Sequence, residues 1–295
     1  MGRNFAQALK ERILVCDGAL GTMLIAAGAI TGTCPEELNL TAADKVKAVH
    51  DAYVAVGVDI ITTNSFGGSP LKLAKSKMAH LTHEINVTAA KIARVAAGEQ
   101  VFVAGSIGPL GGFLEPLGTV TFQQAVDAYK EQTLALAEGG VDLIIIETMT
   151  DLQETLAAIQ GVREGPDLPI ICTMTFDKRM HTVMGVSAAK AAQTLGRSGV
   201  TVIGANCGNG PEEMLQIIAQ MRETLPEGLL IAQSNAGLPR MTEANHVVYD
   251  ITPAQFAHYV GRFLDLGVRI VGGCCGTTPA HIQAVVDFVR ALGAH

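Results

Sequence analysis

The stretch Val141-Asp142-Leu143-Ile144-Ile145-Ile146 is an almost continuous apolar run that is rich in β-branched residues. A run of this kind is typical of a parallel strand buried on both faces, because a strand with one wet face alternates apolar and polar residues. Seven further runs share this character: residues 13–16, 58–63, 101–104, 169–174, 201–205, 229–233 and 268–271. The sequence therefore predicts a sheet of eight parallel strands.

Segments with apolar residues at every third or fourth position, the pattern of amphipathic helices, separate most of these runs. The clearest are residues 42–56, 123–137, 152–162, 213–221 and 253–266. Thr252 and Pro253 suit the start of the last one, and glycines that suit helix ends precede four strands, at Gly57, Gly140, Gly199 and Gly267. Eight strand–helix alternations without a linker predict an α/β fold, a single (β/α)8 barrel over residues 1–295; a doubly wound sheet in two domains is the alternative.

Composition narrows the class of protein. The 295 residues are 48% apolar, enough to fill a large core, and no run approaches the ~20 apolar residues of a membrane helix. The first residues lack the apolar segment of a secretory signal, so we expect a cytoplasmic protein with no removed leader. A formal net charge of −7 without a basic run argues against nucleic acid as a partner. Six cysteines in such a chain indicate metal binding, thiol chemistry or core packing before disulfides.

Polar or sulfur-bearing side chains stand at the end of nearly every predicted strand. They are Asp17, Asn64, Ser106, Glu147, residues 173–175, Cys207, Asn235, and Cys274 with Cys275. The carboxyl ends of the strands of a (β/α)8 barrel meet at one rim, where such folds carry their chemistry. The sequence therefore predicts an active site at this rim.

Three of these residues are cysteines. Cys274 and Cys275 are adjacent, and side chains at adjacent strand positions point to opposite faces, but glycines on both sides free the backbone to turn both sulfurs toward one point. Cys207 ends the sixth predicted strand, two positions round the barrel from the eighth. Three thiolates with one open position are typical of a catalytic zinc site, and a thiol bound to such a metal loses its proton near neutral pH. This chemistry suits alkyl transfer to a thiol.

Other interpretations of the cysteines remain open. The adjacent pair is also compatible with a strained disulfide or with small residues in a tight turn. Cys16 and Cys172 lie inside predicted strands, where a free cysteine packs as a small hydrophobic residue. Cys34 lies in a loop after the first strand and has no evident partner.

The carboxylates at the rim need a counterpart, because an ionised group at the mouth of an apolar barrel is tolerated only beside a cation or hydrogen-bond donors. A substrate ammonium would serve Asp17 and Glu147, and a structural ion pair is the alternative. The turn of residues 105–109, around Ser106, offers backbone N–H groups that could hold a substrate carboxylate.

Taken together, these residues resemble the zinc-dependent homocysteine S-methyltransferases. Within that family they are most similar to the N-terminal homocysteine-binding module of cobalamin-dependent methionine synthase. The matching stretches begin near residue 11 and run to the end of the chain. They are residues 17–22, 63–66, 105–109, 147–149, 204–207, 235–239 and 272–279, and the Gly-Gly-Cys-Cys-Gly-Thr-Thr-Pro run with a distant Gly-x-Asn-Cys is the most specific of them.

The resemblance implies a (β/α)8 barrel with Zn²⁺ on Cys207, Cys274 and Cys275 and the thiol of homocysteine at the fourth position. Asp17 and Glu147 would meet the amino group of homocysteine, and the amides around Ser106 its carboxylate. Asn235 resembles the family residue near zinc that occupies the open position when substrate is absent. Asn64, at the end of the second strand, is a further candidate for substrate binding.

The methyl donor is the least defined part of this prediction. The chain has neither the tyrosine that follows the equivalent of Phe66 in betaine-using relatives, nor a second barrel for folate, nor an Asp-x-His-x-x-Gly cobalamin motif. A donor must therefore come from outside, as methylcobalamin on a separate corrinoid protein or domain, or as a small molecule such as S-methylmethionine or betaine. Apolar residues in the loop of residues 108–121 could dock such a protein or cover the substrate; they are Leu110, Phe113, Leu114 and Leu117.

Three other functions remain open. The chain could take part in a corrinoid-linked demethylation with another thiol acceptor. It could be a zinc-holding or partner-docking module without turnover, or a redox protein with a disulfide between Cys274 and Cys275. It could also be one module of a longer protein, because a further domain could follow the last helix.

Overall fold

The computed structural model describes residues 4–29, 34–241 and 247–293. The predicted domain limits, residues 1 and 295, lie outside this part of the chain. Eight parallel strands form one sheet. Their order across the sheet is residues 14–15, 268–273, 230–234, 202–207, 170–174, 143–149, 102–107 and 60–62. A parallel bridge between Cys16 and Ile60 joins the two ends of this sheet, so the sheet closes into a barrel. The predicted (β/α)8 barrel is confirmed.

Each of the eight predicted strands is present, with ends that differ by a few residues. The barrel strands are β1 (Leu14–Val15), β2 (Ile60–Thr62), β3 (Phe102–Ile107), β4 (Leu143–Met149), β5 (Ile170–Met174), β6 (Val202–Cys207), β7 (Leu230–Ser234) and β10 (Val268–Gly273). A short antiparallel hairpin, β8 (Arg240–Met241) and β9 (Val247–Val248), follows β7 and was not predicted.

The helices surround the barrel. They are α1 (Phe5–Glu11), α2 (Leu20–Ala26), α3 (Leu38–Thr41), α4 (Ala43–Ala55), α5 (Pro70–Ala74), α6 (Thr82–Ala97), α7 (Phe122–Glu138), α8 (Leu152–Arg163), α9 (Ala188–Arg197), α10 (Pro211–Thr224), α11 (Pro253–Asp265) and α12 (Pro279–Leu292), with 3-10 turns at Pro35–Glu37 and Ala79–Leu81. The five predicted helices are α4, α7, α8, α10 and α11. At the start of α11, Thr252 and Gln255 form a capping box, and the four predicted helix-end glycines have the left-handed backbone that favours glycine.

The apolar residues form two cores. One fills the inside of the barrel, and α1 closes its amino end with Phe5 and Leu9. The ring of Phe5 lies edge-on to that of Phe102, 5.5 Å between centroids. The other core lies between the strands and the surrounding helices. In the described residues, α1 thus packs against the apolar core at the end of the barrel where the strands begin.

The loop between β3 and α7 differs from its prediction in part. Leu110 and Leu114 are buried in the outer core, whereas Phe113 and Leu117 are exposed. Only the latter two can therefore meet a partner. In the described residues, no helix combines the length and the apolar character that crossing a bilayer requires.

Candidate active site

A cavity of about 400 Å³ opens at the carboxyl ends of the barrel strands. Seven predicted site residues line it: Asp17, Asn64, Ser106, Glu147, Cys207, Cys274 and Cys275. Within the described part of the chain, residues 173–175 and Asn235 do not line the cavity. The loop after β1 contributes one wall, residues 17–22, and the end of the neighbouring strand β10 contributes the adjacent wall. The strand ends therefore bring most of the predicted residues together.

The three cysteines form one cluster, in which the sulfur atoms of Cys207, Cys274 and Cys275 all lie within 4.8 Å of one another. The sulfurs of Cys207 and Cys275 are 3.9 Å apart. Hydrogen bonds from the other two thiols lower the pKa of Cys207, whereas bonding to the Cys207 thiolate raises the pKa values of Cys274 and Cys275. Cys207 is therefore the thiol of the cluster that ionises most readily.

The backbone places these sulfurs. Cys207 has a positive φ of 62°, a left-handed conformation that is uncommon for a residue with a side chain, and Gly208 continues it. The Cys274 N–H donates to the Ser234 carbonyl at 2.8 Å, and the Cys275 carbonyl accepts from Ala236 N–H at 3.0 Å. The end of β7 thus lies between the two thiol-bearing strands and fixes the cysteine pair.

Thr277 joins the last loop to the first. Its hydroxyl donates to the Cys274 carbonyl at 2.7 Å and accepts from the Ala19 N–H at 3.1 Å. A side chain on Gly18 or Gly273 would clash with this hydroxyl, at 2.6 and 2.3 Å, so both positions need glycine. The two Gly-rich stretches of the sequence are therefore packed against each other beside the thiols.

Asp17 is buried at the end of β1, with a 2% exposed side chain. Its carboxylate accepts hydrogen bonds from the N–H and hydroxyl of Thr62, at 2.7 and 3.1 Å. Burial raises the pKa of Asp17 to about 7 despite these bonds, and the charge of Glu147 adds to the rise.

Glu147 faces the same cavity from the end of β4. The Ser106 hydroxyl donates to its Oε1 at 2.5 Å, and the Asn206 side chain lies 3.5 Å from its Oε2. Burial raises the pKa of Glu147 to about 7, and the charge of Cys207 contributes. Two carboxyl groups that are both half ionised near neutral pH therefore face one cavity beside the thiol cluster.

Asn235 lies beside the thiols rather than in the cavity lining. Its Nδ2 donates to the Gly208 carbonyl at 2.6 Å, and its contact with Cys207 helps to lower the pKa of that thiol. In the described residues its Oδ1 is buried without a hydrogen-bond partner. A buried amide oxygen without a donor is costly, and a metal ion at the cluster would compensate it.

Two predicted contacts differ from the expectation. The Ser106 N–H donates to the Thr63 hydroxyl at 2.9 Å, so this amide is not free for a substrate carboxylate. The Ser106 hydroxyl donates to Glu147, and both residues line the cavity. The Asn64 side-chain nitrogen donates to Pro35 and to Asn39, at 2.9 and 3.1 Å. Both hydrogens of that nitrogen are used in bonds to residues 35 and 39. The side-chain oxygen Oδ1 of Asn64 therefore remains available to a ligand.

The sequence did not identify Asn206 as a site residue, although it stands in the motif before Cys207. This buried side chain accepts from Thr148 N–H and the Thr173 hydroxyl, both at 2.8 Å, and it donates to the Thr148 hydroxyl at 2.7 Å. Its nitrogen also lies 3.9 Å from the Cys274 sulfur. Asn206 therefore links the carboxylate strand β4 to the thiol cluster.

Glu36 and Gln233 also line the cavity and were not predicted. Glu36 comes from the 3-10 turn after α2, and its Oε1 accepts from the Gly67 N–H at 2.6 Å. The Cys34 sulfur lies 3.4 Å from Glu36 Oε2, so Cys34 does have a partner, contrary to expectation. Cys16 and Cys172 are buried in the core, as predicted.

The model of the homocysteine S-methyltransferases, a protein family, matches residues 14–289 of the chain. The chain belongs to the homocysteine S-methyltransferase family. Methyl transfer to the sulfur of homocysteine is the reaction for which this family is named. The resemblance stated from the sequence motifs is therefore confirmed.

Two curated relatives are methionine synthases. The chain is 33% identical to that of Mycobacterium tuberculosis over 98% of its own length and 26% of the relative. It is 32% identical to that of Mycobacterium leprae, over 97% of its own length and 25% of the relative. The chain thus spans about a quarter of the length of these relatives.

The fold is similar to those of solved methyltransferases. The metallated form of the Escherichia coli homocysteine methyltransferase MmuM gives a TM-score of 0.80 at 22% identity, over 95% of this chain and 98% of that one. A methyltransferase from Methanosarcina mazei gives a TM-score of 0.64 at 12% identity, over 98% and 97%. These two similarities concern the fold.

Proposed function

We propose that this protein methylates homocysteine to methionine, with Zn²⁺ held by Cys207, Cys274 and Cys275. The observation that carries the proposal is the content of one cavity: three clustered thiols, and the carboxyl groups of buried Asp17 and half-buried Glu147, which form no ion pair within the described residues. Family membership supports homocysteine as the acceptor. The arrangement fits a small amino acid whose thiol and ammonium bind at opposite ends of the molecule.

The residues present fit zinc. Thiol sulfurs are soft ligands that select zinc over magnesium or calcium, and three protein ligands leave a position open for a substrate atom. The unpartnered Oδ1 of Asn235 beside Cys207 supports a fourth ligand while the substrate is absent. Zinc bound there would lower the pKa of the homocysteine thiol and keep its sulfur ionised at neutral pH.

The chain itself orients the amino acid. The carboxylates of Asp17 and Glu147 accept hydrogen bonds from the homocysteine ammonium, and the Ser106 hydroxyl holds the Glu147 carboxylate in place. Ser106 and Asn64 contribute further polar contacts at the cavity wall. Fixing both ends of the substrate aims its sulfur at the mouth of the barrel, where a methyl donor can approach in line.

We propose methylcobalamin on a separate corrinoid protein or domain as the donor. The names of the curated relatives and the quarter of their length that the chain spans support this choice. The exposed side chains of Phe113 and Leu117 give the same rim an apolar surface on which such a partner could dock. S-Methylmethionine or betaine are the alternative donors, and corrinoid-linked demethylation with another acceptor is the alternative reaction.

The test is methionine formation by zinc-loaded protein from homocysteine, with methylcobalamin, S-methylmethionine and betaine supplied separately. Turnover with methylcobalamin alone supports the corrinoid donor, and turnover with a small donor replaces it. Cys274→Ala should lose both zinc and turnover, whereas Cys172→Ala, a buried cysteine outside the cavity, should keep both. Stoichiometric zinc without turnover from any donor would contradict the proposed reaction and favour a binding module.

A further inference from the structure

A tyrosine covers the turn that follows the cysteine pair. Gly276, directly after Cys275, has a positive φ of 81°, and a methyl group on it would lie 2.2 Å from Cγ of Tyr249 and 2.4 Å from both Cδ atoms. The aromatic ring therefore lies flat against the Gly276 backbone, in the space that any other residue would fill with its Cβ. Glycine at this position is required by the ring as well as by the backbone conformation.

Hydrogen bonds of the following segment hold Tyr249 in this place. Two residues later, the Ile251 N–H donates to the Ala236 carbonyl at 3.0 Å, and the Ala236 N–H donates to the Cys275 carbonyl at 3.0 Å. The Ile251 carbonyl accepts from Nε2 of His281 in α12 at 2.8 Å. Ile251 is thus linked through Ala236 to Cys275 and directly to α12, the helix that follows the cysteines.

The ring lies near the sulfurs but outside the cavity. Tyr249 is half-buried, and its ring packs on Gly276, the residue directly after Cys275. Tyr249 does not contribute to the cavity lining, whereas all three cysteines do. The cluster therefore has the substrate cavity on one side and the half-buried tyrosine on another.

We infer that Tyr249 is a positioning residue that closes the outer side of the thiol cluster and slows the escape of the metal ion. This inference rests on the proposed zinc site. The ring holds the Cys275–Gly276 turn in the shape that keeps the Cys275 sulfur on the metal, and it keeps water and competing ligands from that side. Groups that orient a metal ligand without touching the metal commonly change metal affinity by about 10- to 100-fold.

The experiment compares zinc release from the full chain. Wild type, Tyr249→Ala, Tyr249→Phe and Val247→Ala are loaded with zinc, mixed with excess chelator, and followed by metal-sensitive absorbance. We expect release to be about 10-fold faster or more in Tyr249→Ala and within about twofold of wild type in Tyr249→Phe, because the ring and not the hydroxyl covers the turn. Val247, an exposed residue two positions before Tyr249, is the matched control and should not change the rate.

A second readout needs no metal. In the zinc-free protein, a chromogenic aromatic disulfide should modify the cluster thiols faster in Tyr249→Ala than in wild type. Equal release rates and equal thiol reactivity in these two proteins would overturn the role of Tyr249 while leaving the zinc site intact. If wild type holds no stoichiometric zinc, the proposed zinc function fails instead, and the thiol reactivity alone decides whether Tyr249 covers the cluster.

Discussion

Carboxylates bridge neighbouring strands at both ends of this barrel, with different surroundings. At the amino ends, Asp59 accepts from the Val15 N–H at 2.8 Å and pairs with Arg12, and Asp142 accepts from the Val103 N–H at 2.7 Å and pairs with Arg94. At the carboxyl end, Asp17 accepts from the Thr62 N–H in the same manner.

The difference lies in the countercharge. Within the described residues, neither Asp17 nor Glu147 forms an ion pair with a basic side chain, and burial raises the pKa of both to about 7. The same strand-bridging bond therefore has different consequences at the two ends: beside an arginine the carboxylate is paired, and at Asp17 it leaves negative charge that a bound ammonium could neutralise.

The largest expected effect concerns affinity for homocysteine. In zinc-loaded protein, Asp17→Asn and Glu147→Gln should each weaken binding about 100-fold, because each removes the charge that meets the buried ammonium. Asp59→Asn and Asp142→Asn should leave the dissociation constant unchanged in the same calorimetric titration. A thiol acid without the amino group is the control ligand; if the cavity variants weaken its binding equally, the carboxylates do not bind the ammonium.

Asp17→Asn should weaken homocysteine binding but raise the free energy of unfolding of the ligand-free protein. The pKa of Asp17 is 3.8 in the unfolded chain and about 7 in the fold, so its contribution to the free energy of unfolding is present at low pH and is lost as pH rises through 7. At pH 8, Asp17→Asn should therefore stabilise the ligand-free protein by about 2 kcal/mol.

The matched variant for that experiment is Asp59→Asn, which breaks the pair with Arg12 and should destabilise the protein by about 1 kcal/mol. Urea unfolding at pH 5 and pH 8 measures both effects. Equal destabilisation by the two variants at pH 8 would remove the distinction between the two ends of the barrel.

The raised pKa values also predict a pH profile for binding. Between pH 6 and pH 8, the affinity for homocysteine relative to the thiol acid without an amino group should rise about tenfold, as Asp17 and Glu147 lose their protons. Taking the ratio of the two ligands cancels the ionisation of the thiol. A flat ratio in wild type, like that expected when Asp17→Asn and Glu147→Gln are combined, would assign ammonium binding to other groups.

The smallest expected effect concerns the rate of methyl transfer and compares exposed apolar residues at the active rim with those on the outer helices. Phe113→Ser and Leu117→Ser, at the active rim, should lower the rate with a methylated corrinoid protein about fivefold without changing the rate with free methylcobalamin. Val95→Ser and Leu134→Ser, on the outer faces of α6 and α7, should change neither rate. Equal losses from both pairs would argue against docking at the rim.

The sequence predicted the barrel because its signals are local and strong. Runs such as residues 141–146 can be buried on both faces only in a parallel sheet, and glycines such as Gly57 and Gly140 end helices through their own backbone freedom. The hairpin β8–β9 gave no such signal, since each of its strands is only two residues long, which is too short for a recognisable pattern. Local sequence patterns therefore predict the barrel but not the short hairpin that follows β7.

The site was predicted in the same uneven way. The cysteines are brought together by strand ends, which follow from the fold, and the structure places their sulfurs in contact. Asn206 could not be identified, because its partners include the backbone of Thr148, whose φ of 61° appears only in the folded strand. Glu36 reaches the cavity from a loop whose path no periodicity describes. The catalytic and binding roles of all these residues stay predictions.

The contact between Thr277 and Ala19 joins positions 258 residues apart. A ribosome therefore releases the first wall of the cavity long before the second, and Cys207 emerges without its two sulfur partners. A single thiol holds zinc weakly, so at the proposed zinc site a nascent chain would not retain the metal before Cys275 has left the exit tunnel. Closure of the barrel rim therefore waits for Thr277, and a chain interrupted before that residue would lack this link between the two walls.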